Sequence, residues 1–102
     1  MGDLSSTSTR TITITPLAAE DLKDHRHHKD RLGAKIRQLE TGADQRGIPL
    51  GPPLQGYRRL RMDDLRIVYR CTPTTVEVIA IGPRKDKKVY KIAADRLPPQ
   101  NL

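Results

Sequence analysis

Between Tyr57 and Ile81 the chain offers three strand-like segments separated by turns of only a few residues, and segments joined this way pair as antiparallel hairpins. Tyr57 to Met62 and Arg66 to Cys71 meet at Met62-Asp63-Asp64-Leu65, where adjacent aspartates favour a turn. Thr72-Pro73-Thr74-Thr75 makes the second turn. Side chains alternate across a strand, so Leu60 and Met62 share one face and Arg59 and Arg61 the other, while Arg66 and Arg70 share a face of the next strand. Val76 to Ile81 is almost continuously apolar and suits the sheet centre. The hairpin therefore carries an apolar face and a basic one.

The rest of the chain reads as support. Thr9 to Thr15 alternates Ile12 and Ile14 with threonines, the pattern of a strand with one buried face. Thr15-Pro16 then supplies an N-cap and a proline at the first helical position, opening a helix through Leu17, Ala18 and Leu22. After the polar run KDHRHHK, read as a turn or exposed helical segment, Leu32, Ile36 and Leu39 recur at helical spacing and Gly42 can end that helix. The glycines and prolines of residues 43–55 exclude helix and central strand and predict an extended connection. A last helix is expected to turn Val89, Ile92, Ala93 and Leu97 inward before Pro98-Pro99 stop it. The order is β-α-α-β-β-β-α. It predicts an α+β fold: a small, antiparallel-rich twisted sheet with an N-terminal strand, a helical hairpin packed on it and a C-terminal helix. Residues 9–97 are read as the domain, with tails at 1–8 and 98–102.

Phe and Trp are absent, so aliphatic side chains and Tyr57, Tyr69 and Tyr90 must fill the core, and stability is expected to be marginal without a partner. Nineteen Lys and Arg against twelve Asp and Glu give a formal charge of +7 and a pI near 10.0, which favours a polyanionic or acidic partner. A single cysteine, Cys71, excludes an intramolecular disulfide, and no apolar run is long enough for a signal peptide or a membrane span. A cytoplasmic setting without membrane attachment is the expectation.

Beyond the basic hairpin face, Arg84 lies just past the third strand and Lys85, Lys87 and Lys88 follow it. Guanidinium groups bind phosphate bidentately and stay charged at physiological pH, so a cluster of them can hold RNA and stabilise a transferring phosphate; the plain alternative is a solvated sheet face. His25, His27 and His28 have no cysteine or paired carboxylate near them in sequence and are read as an exposed polar turn, not a metal site. Cys71 is read as a small core residue.

RLRMDDLRIVYR followed by VEVIAIGPRKDKKVY resembles the C-terminal half of the RelE/ParE toxin superfamily, and most closely its RelE-type, mRNA-cleaving branch. The opening strand and helical hairpin are similar to that family in order and length, so the resemblance runs from about Thr9 to Leu97. It implies the toxin of a type II toxin–antitoxin system, a ribosome-dependent endoribonuclease that cuts translated mRNA and needs no metal or other cofactor. Its implied partners are mRNA, the ribosome and an acidic cognate antitoxin, with a heterotetramer or larger assembly as the form a toxin–antitoxin complex can take. Carried over by position, Arg66, Arg84 and Tyr90 are the implied catalytic residues and Arg59 and Arg61 the implied phosphate contacts; Lys85, Lys87 and Lys88 are read as further phosphate contacts because they adjoin Arg84, beside the alternative of a solvated loop. In this scheme a ribose 2′-hydroxyl attacks its own 3′-phosphate, Tyr90 handles the proton and Arg84 steadies the phosphorane. The chain departs from the family in having arginines where lysines are common on the first hairpin strand, aspartates in the turn that usually holds a glycine, and Pro83 before Arg84. Two other readings stand beside this one: a ParE-type toxin of the same fold that binds DNA gyrase, and a non-catalytic RNA- or protein-binding module.

Overall fold

The computed structural model describes residues 9–97, and the expected tails at 1–8 and 98–102 lie outside the described residues. Its centre is β4 (Leu65–Cys71), which pairs antiparallel with β3 (Arg58–Met62) on one side and with β5 (Thr75–Pro83) on the other. β1 (Thr11–Ile14) joins the outer side of β5 in parallel, and β2 (Ile48–Pro49) joins β3 antiparallel. The result is a mixed five-stranded sheet in the order β1-β5-β4-β3-β2. The third predicted strand, expected at the sheet centre, lies one place from it, and the hairpin strand Leu65–Cys71 takes the middle place; the apolar run of β5 is still covered on both faces, because β1 shields its outer edge and helices pack on either side.

Two layers of helix cover the sheet. Thr15 caps α1 (Pro16–Asp24), its hydroxyl accepting the Ala18 amide at 3.2 Å, and Pro16 stands at the first helical position. A short 3₁₀ turn, Arg26–His28, occupies the polar run before α2 (Lys29–Arg37). A second 3₁₀ turn, Gln38–Glu40, ends that helix, and Gly42, at φ +71°, turns the chain away. Ala18, Leu32, Ile36 and Leu39 bury against Leu60, Ile67, Tyr69, Val76 and Val78 on one sheet face. On the opposite face α3 (Lys88–Asp95) sets Val89 and Ala93 against Val68, Ile79, Ala80 and Leu54. Tyr90, Ala94 and Leu97 pack around this second cluster, whereas Ile92, expected to point inward, is only half-buried and stays outside it.

One irregularity lets a single strand serve both layers. Opposite the Val68-Tyr69 step, β5 carries one extra residue: Val68 pairs with Ala80 and Tyr69 with Val78, leaving Ile79 as a bulge. The bulge reverses the alternation, so Val76, Val78 and Ile81 face the first helical layer and Ala80 and Gly82 the second. Gly82 has no side chain to hold α3 away; a Cβ there would sit 3.4 Å from the Val89 side chain.

The connection over residues 43–55 is extended as expected but includes the short edge strand β2. Gly47, at φ +67°, makes that pairing possible, because a Cβ there would lie 2.3 Å from the Arg59 carbonyl oxygen. The fully buried Tyr69 fastens the same segment: its hydroxyl lies 2.8 Å from the Ala43 carbonyl and 2.7 Å from that of Arg46. Among the described residues no helix is long and apolar enough to cross a membrane.

Candidate nucleic-acid interface

Parity along β3 and β4 puts Arg59, Arg61 and Arg66 on the α3 side of the sheet, away from the first helical layer. Arg61 and Arg66 are direct cross-strand partners. Like charges so placed repel, which is a local cost to the fold. Arg84 reaches the same place from the end of β5, because its backbone N–H donates to the Asp64 carbonyl at 2.9 Å and so ties it to the β3–β4 turn. All four arginines line one open cleft of about 800 Å³, together with Arg31, Lys35 and Asp63. Among the described residues none of the four forms an ion pair.

The four are not equivalent. Arg66 is 7 % exposed, and its Nη1 donates to the carbonyls of Asp63 and Leu65, both at 2.9 Å. It therefore holds the turn as well as facing the cleft. Arg61 and Arg84 are exposed and Arg59 is half-buried. The parity that selects these residues rejects Arg58, whose Nε instead donates to the Arg46 carbonyl at 2.9 Å.

Tyr90 stands apart from this group. It lines a neighbouring cleft of about 380 Å³ walled by Leu50, Pro52, Pro53, Leu54, Lys87 and Lys91, and Arg59 borders both clefts. The Tyr90 hydroxyl is closed to solvent and has no hydrogen-bond partner among the described residues. Between Arg84 and Tyr90 the backbone makes a tight 3₁₀ turn, Lys85–Lys87, in which Asp86 (φ 57°) and Lys87 (φ 58°) both take the left-handed conformation. Neither is glycine, so this turn stores strain where the arginine cleft meets α3.

Of the residues singled out in the sequence, the structure thus brings Arg59, Arg61, Arg66 and Arg84 together and sets Tyr90 and Lys87 in the adjoining cleft. Lys85 and Lys88 are exposed and line neither. Arg31 and Lys35 were missed. They sit four apart on α2, each one position before the buried Leu32 and Ile36, and that i, i+4 spacing on the border of the apolar stripe was the available signal. Arg31 pairs with Asp63 across the cleft mouth; both side chains are more than half exposed, so the pair adds little stability. His25, His27 and His28 form no cluster with other potential ligands, and no group of three His, Cys, Asp or Glu placed to hold a metal ion occurs among the described residues. Cys71 is free and packs at the margin of the first core.

The family described as the ParE toxin of the type II toxin–antitoxin system parDE matches residues 12–88. Among solved structures, the chain is similar to one in the toxin–antitoxin complex RelBE2 from Mycobacterium tuberculosis, with 26 % identity, a TM-score of 0.64, and coverage of 76 % of this chain and 94 % of that one. An arginine-to-alanine double variant of the toxin RelE from E. coli, in the free state, aligns over 88 % of this chain and 99 % of its own with a TM-score of 0.72 at 16 % identity. A chain of the chromosomal ParDE system from P. aeruginosa aligns over 76 % of this chain and 98 % of its own, with a TM-score of 0.61 at 18 % identity. At these last two identities the likeness is one of fold. No curated protein sequence matches. With the family matched across most of the domain and the same fold recurring in RelE-type and ParE-type structures, the chain belongs to the RelE/ParE superfamily of toxins of type II toxin–antitoxin systems.

Proposed function

We propose that this toxin is an endoribonuclease that cuts translated mRNA on the ribosome, with the arginine cleft as its phosphate site. The observation that carries the proposal is the convergence of Arg59, Arg61, Arg66 and Arg84 on one open cleft without a carboxylate partner for any of them among the described residues. Uncompensated guanidinium groups side by side lower the stability of an isolated protein and gain their return when a polyanion enters. Arg59 and Arg61 grip the backbone, Arg66 braces the turn from beneath, and Arg84 stabilises the charge that develops on the phosphate.

In the reaction the ribose 2′-oxygen bonds to phosphorus and the bond from phosphorus to the 5′-oxygen of the next nucleotide breaks. The products are a 2′,3′-cyclic phosphate and a 5′-hydroxyl. Tyr90 orients the 2′-hydroxyl and passes its proton to water, and the leaving oxygen takes a proton from water. Because the Tyr90 hydroxyl is closed to solvent, this role requires the side chains that enclose it to give way when RNA enters. The partner that silences the toxin is an acidic antitoxin covering the same basic surface; similar chains occur in toxin–antitoxin complexes from M. tuberculosis and Staphylococcus aureus.

A second reading has two observations in its favour. The matching family is described as ParE, and the Tyr90 hydroxyl lies outside the arginine cleft. On that reading the basic surface binds DNA gyrase and nothing is cleaved. Primer extension on mRNA from cells briefly expressing the toxin separates the two. Discrete cuts within translated codons support the nuclease; intact mRNA with stalled gyrase complexes supports the ParE-type toxin.

A further inference from the structure

Asp21 is the one buried carboxylate among the described residues, and the phosphate chemistry makes no use of it. It projects from α1 at 8 % exposure, and its Oδ2 accepts the Ile81 N–H at 2.9 Å and Arg96 Nη1 at 2.7 Å. Its Oδ1 accepts Arg96 Nη2 at 3.1 Å, so the pair is bidentate. Arg96 Nη1 also donates to the Ile79 carbonyl at 2.9 Å. These backbone groups lie where β5 has lost its neighbour: pairing with β1 ends at Ile14 and Val78, and Ile79 is the bulge. Carboxylate and guanidinium together thus take the place of the missing strand, one receiving a free N–H and the other donating to a free C=O.

Arg96 also terminates α3, which carries Tyr90 in its first turn. That helix has only eight residues, too few to persist in water by itself, and of its two fully buried side chains, Val89 and Ala93, only Val89 is larger than alanine. We propose that Asp21 and Arg96 are positioning residues: they clamp the C-terminal end of α3 to β5 and α1, and so hold Tyr90 in register beside Arg59. The consequence for cleavage rests on the nuclease reading; the clamp itself does not. A reacting group displaced by about 1 Å costs up to ~10²-fold in rate even when the altered residue is remote from the chemistry.

The test combines single-turnover cleavage on programmed ribosomes with amide hydrogen exchange, for wild type, Arg96→Ala, Arg96→Lys and Asp21→Asn. Arg96→Ala is expected to lower the rate at saturation by roughly 10- to 10²-fold while leaving the half-saturating ribosome concentration unchanged. Arg96→Lys, which keeps the charge but not the planar fork, should recover part of that loss. Amides of residues 88–95 should exchange about tenfold faster or more in Arg96→Ala, with those of β4 unaltered. Should removal of an ion from this buried pair prevent Arg96→Ala from folding, Arg96→Lys and Asp21→Asn are expected to show the same selective loosening of α3 to a smaller degree. Unchanged exchange in α3 would overturn the proposal, as would equal acceleration in α3 and β4, which marks a merely structural pair. If wild type cleaves no RNA, the nuclease reading fails by itself, and the exchange measurements still decide the clamp: faster exchange confined to α3 supports it and no change overturns it.

Discussion

Single residues in this chain separate what the fold needs from what the chemistry needs. The Tyr90 hydroxyl is buried without a partner among the described residues, and an unsatisfied buried polar group costs ~1–3 kcal/mol. Tyr90→Phe should therefore raise stability by about 1 kcal/mol in urea denaturation while slowing RNA cleavage. A purely structural tyrosine would leave cleavage untouched. Tyr69 behaves in the opposite way, since its hydroxyl fastens the Ala43 and Arg46 carbonyls and burial holds its phenol above the ordinary 10.0, against the lowering influence of Arg58. A phenol raised in the folded state favours folding fully below the unfolded value and loses that contribution as pH climbs through the folded one. Stability is thus expected to fall from about pH 10 upward, and Tyr69→Phe should remove that slope at a cost of ~1–3 kcal/mol at neutral pH, both measured by denaturation across the alkaline range. At this scale the sequence was informative where parity decides. It placed Arg59 and Arg61 on one face, whereas the cleft that holds Tyr90 is walled by Leu50–Leu54, a segment more than thirty residues away in the chain.

At the scale of elements, the pieces held by local rules were legible and those held by distant contacts were not. The Thr15-Pro16 helix start, the Leu32, Ile36 and Leu39 stripe, the Asp63-Asp64 turn and the three hairpin strands each follow from neighbours within a few residues. The bulge at Ile79 does not, because in VEVIAI an apolar residue suits either face and the alternation gives no warning of a reversal. β2 was equally hidden: two residues in a stretch rich in glycine and proline carry no period. Its existence hangs on Gly47, so Gly47→Ala should cost about 2–3 kcal/mol in chemical denaturation by combining left-handed strain with a clash at the Arg59 carbonyl. Because that clash falls on Arg59, RNA binding should weaken in parallel. A stable, fully binding Gly47→Ala protein would show that β2 does not set the position of β3.

For the whole molecule the governing quantity is charge. A chain of formal charge +7 that gathers six cations and one carboxylate around a single cleft should bind nucleic acid chiefly through phosphate. Arg59→Ala, Arg61→Ala and the α2 variants Arg31→Ala and Lys35→Ala should each weaken binding to many RNA sequences alike, and each should make the salt slope shallower by ~0.7 per lost contact on single strands. Titration across a salt series measures this. A cognate antitoxin that binds the folded toxin should raise its apparent stability by about 2.7 kcal/mol when present at a hundred times its dissociation constant, read as a shift in thermal midpoint. Neither result alone distinguishes a nuclease from a binding protein. The central claim is tested most directly by single-turnover cleavage of mRNA on programmed ribosomes by wild type and Arg84→Ala. With Arg84 serving the transition state, the variant should bind ribosomes normally and cleave roughly 10²–10³ times more slowly, as for loss of one preorganised oxyanion donor. Equal rates for the two proteins, or no cleavage by wild type, would contradict it.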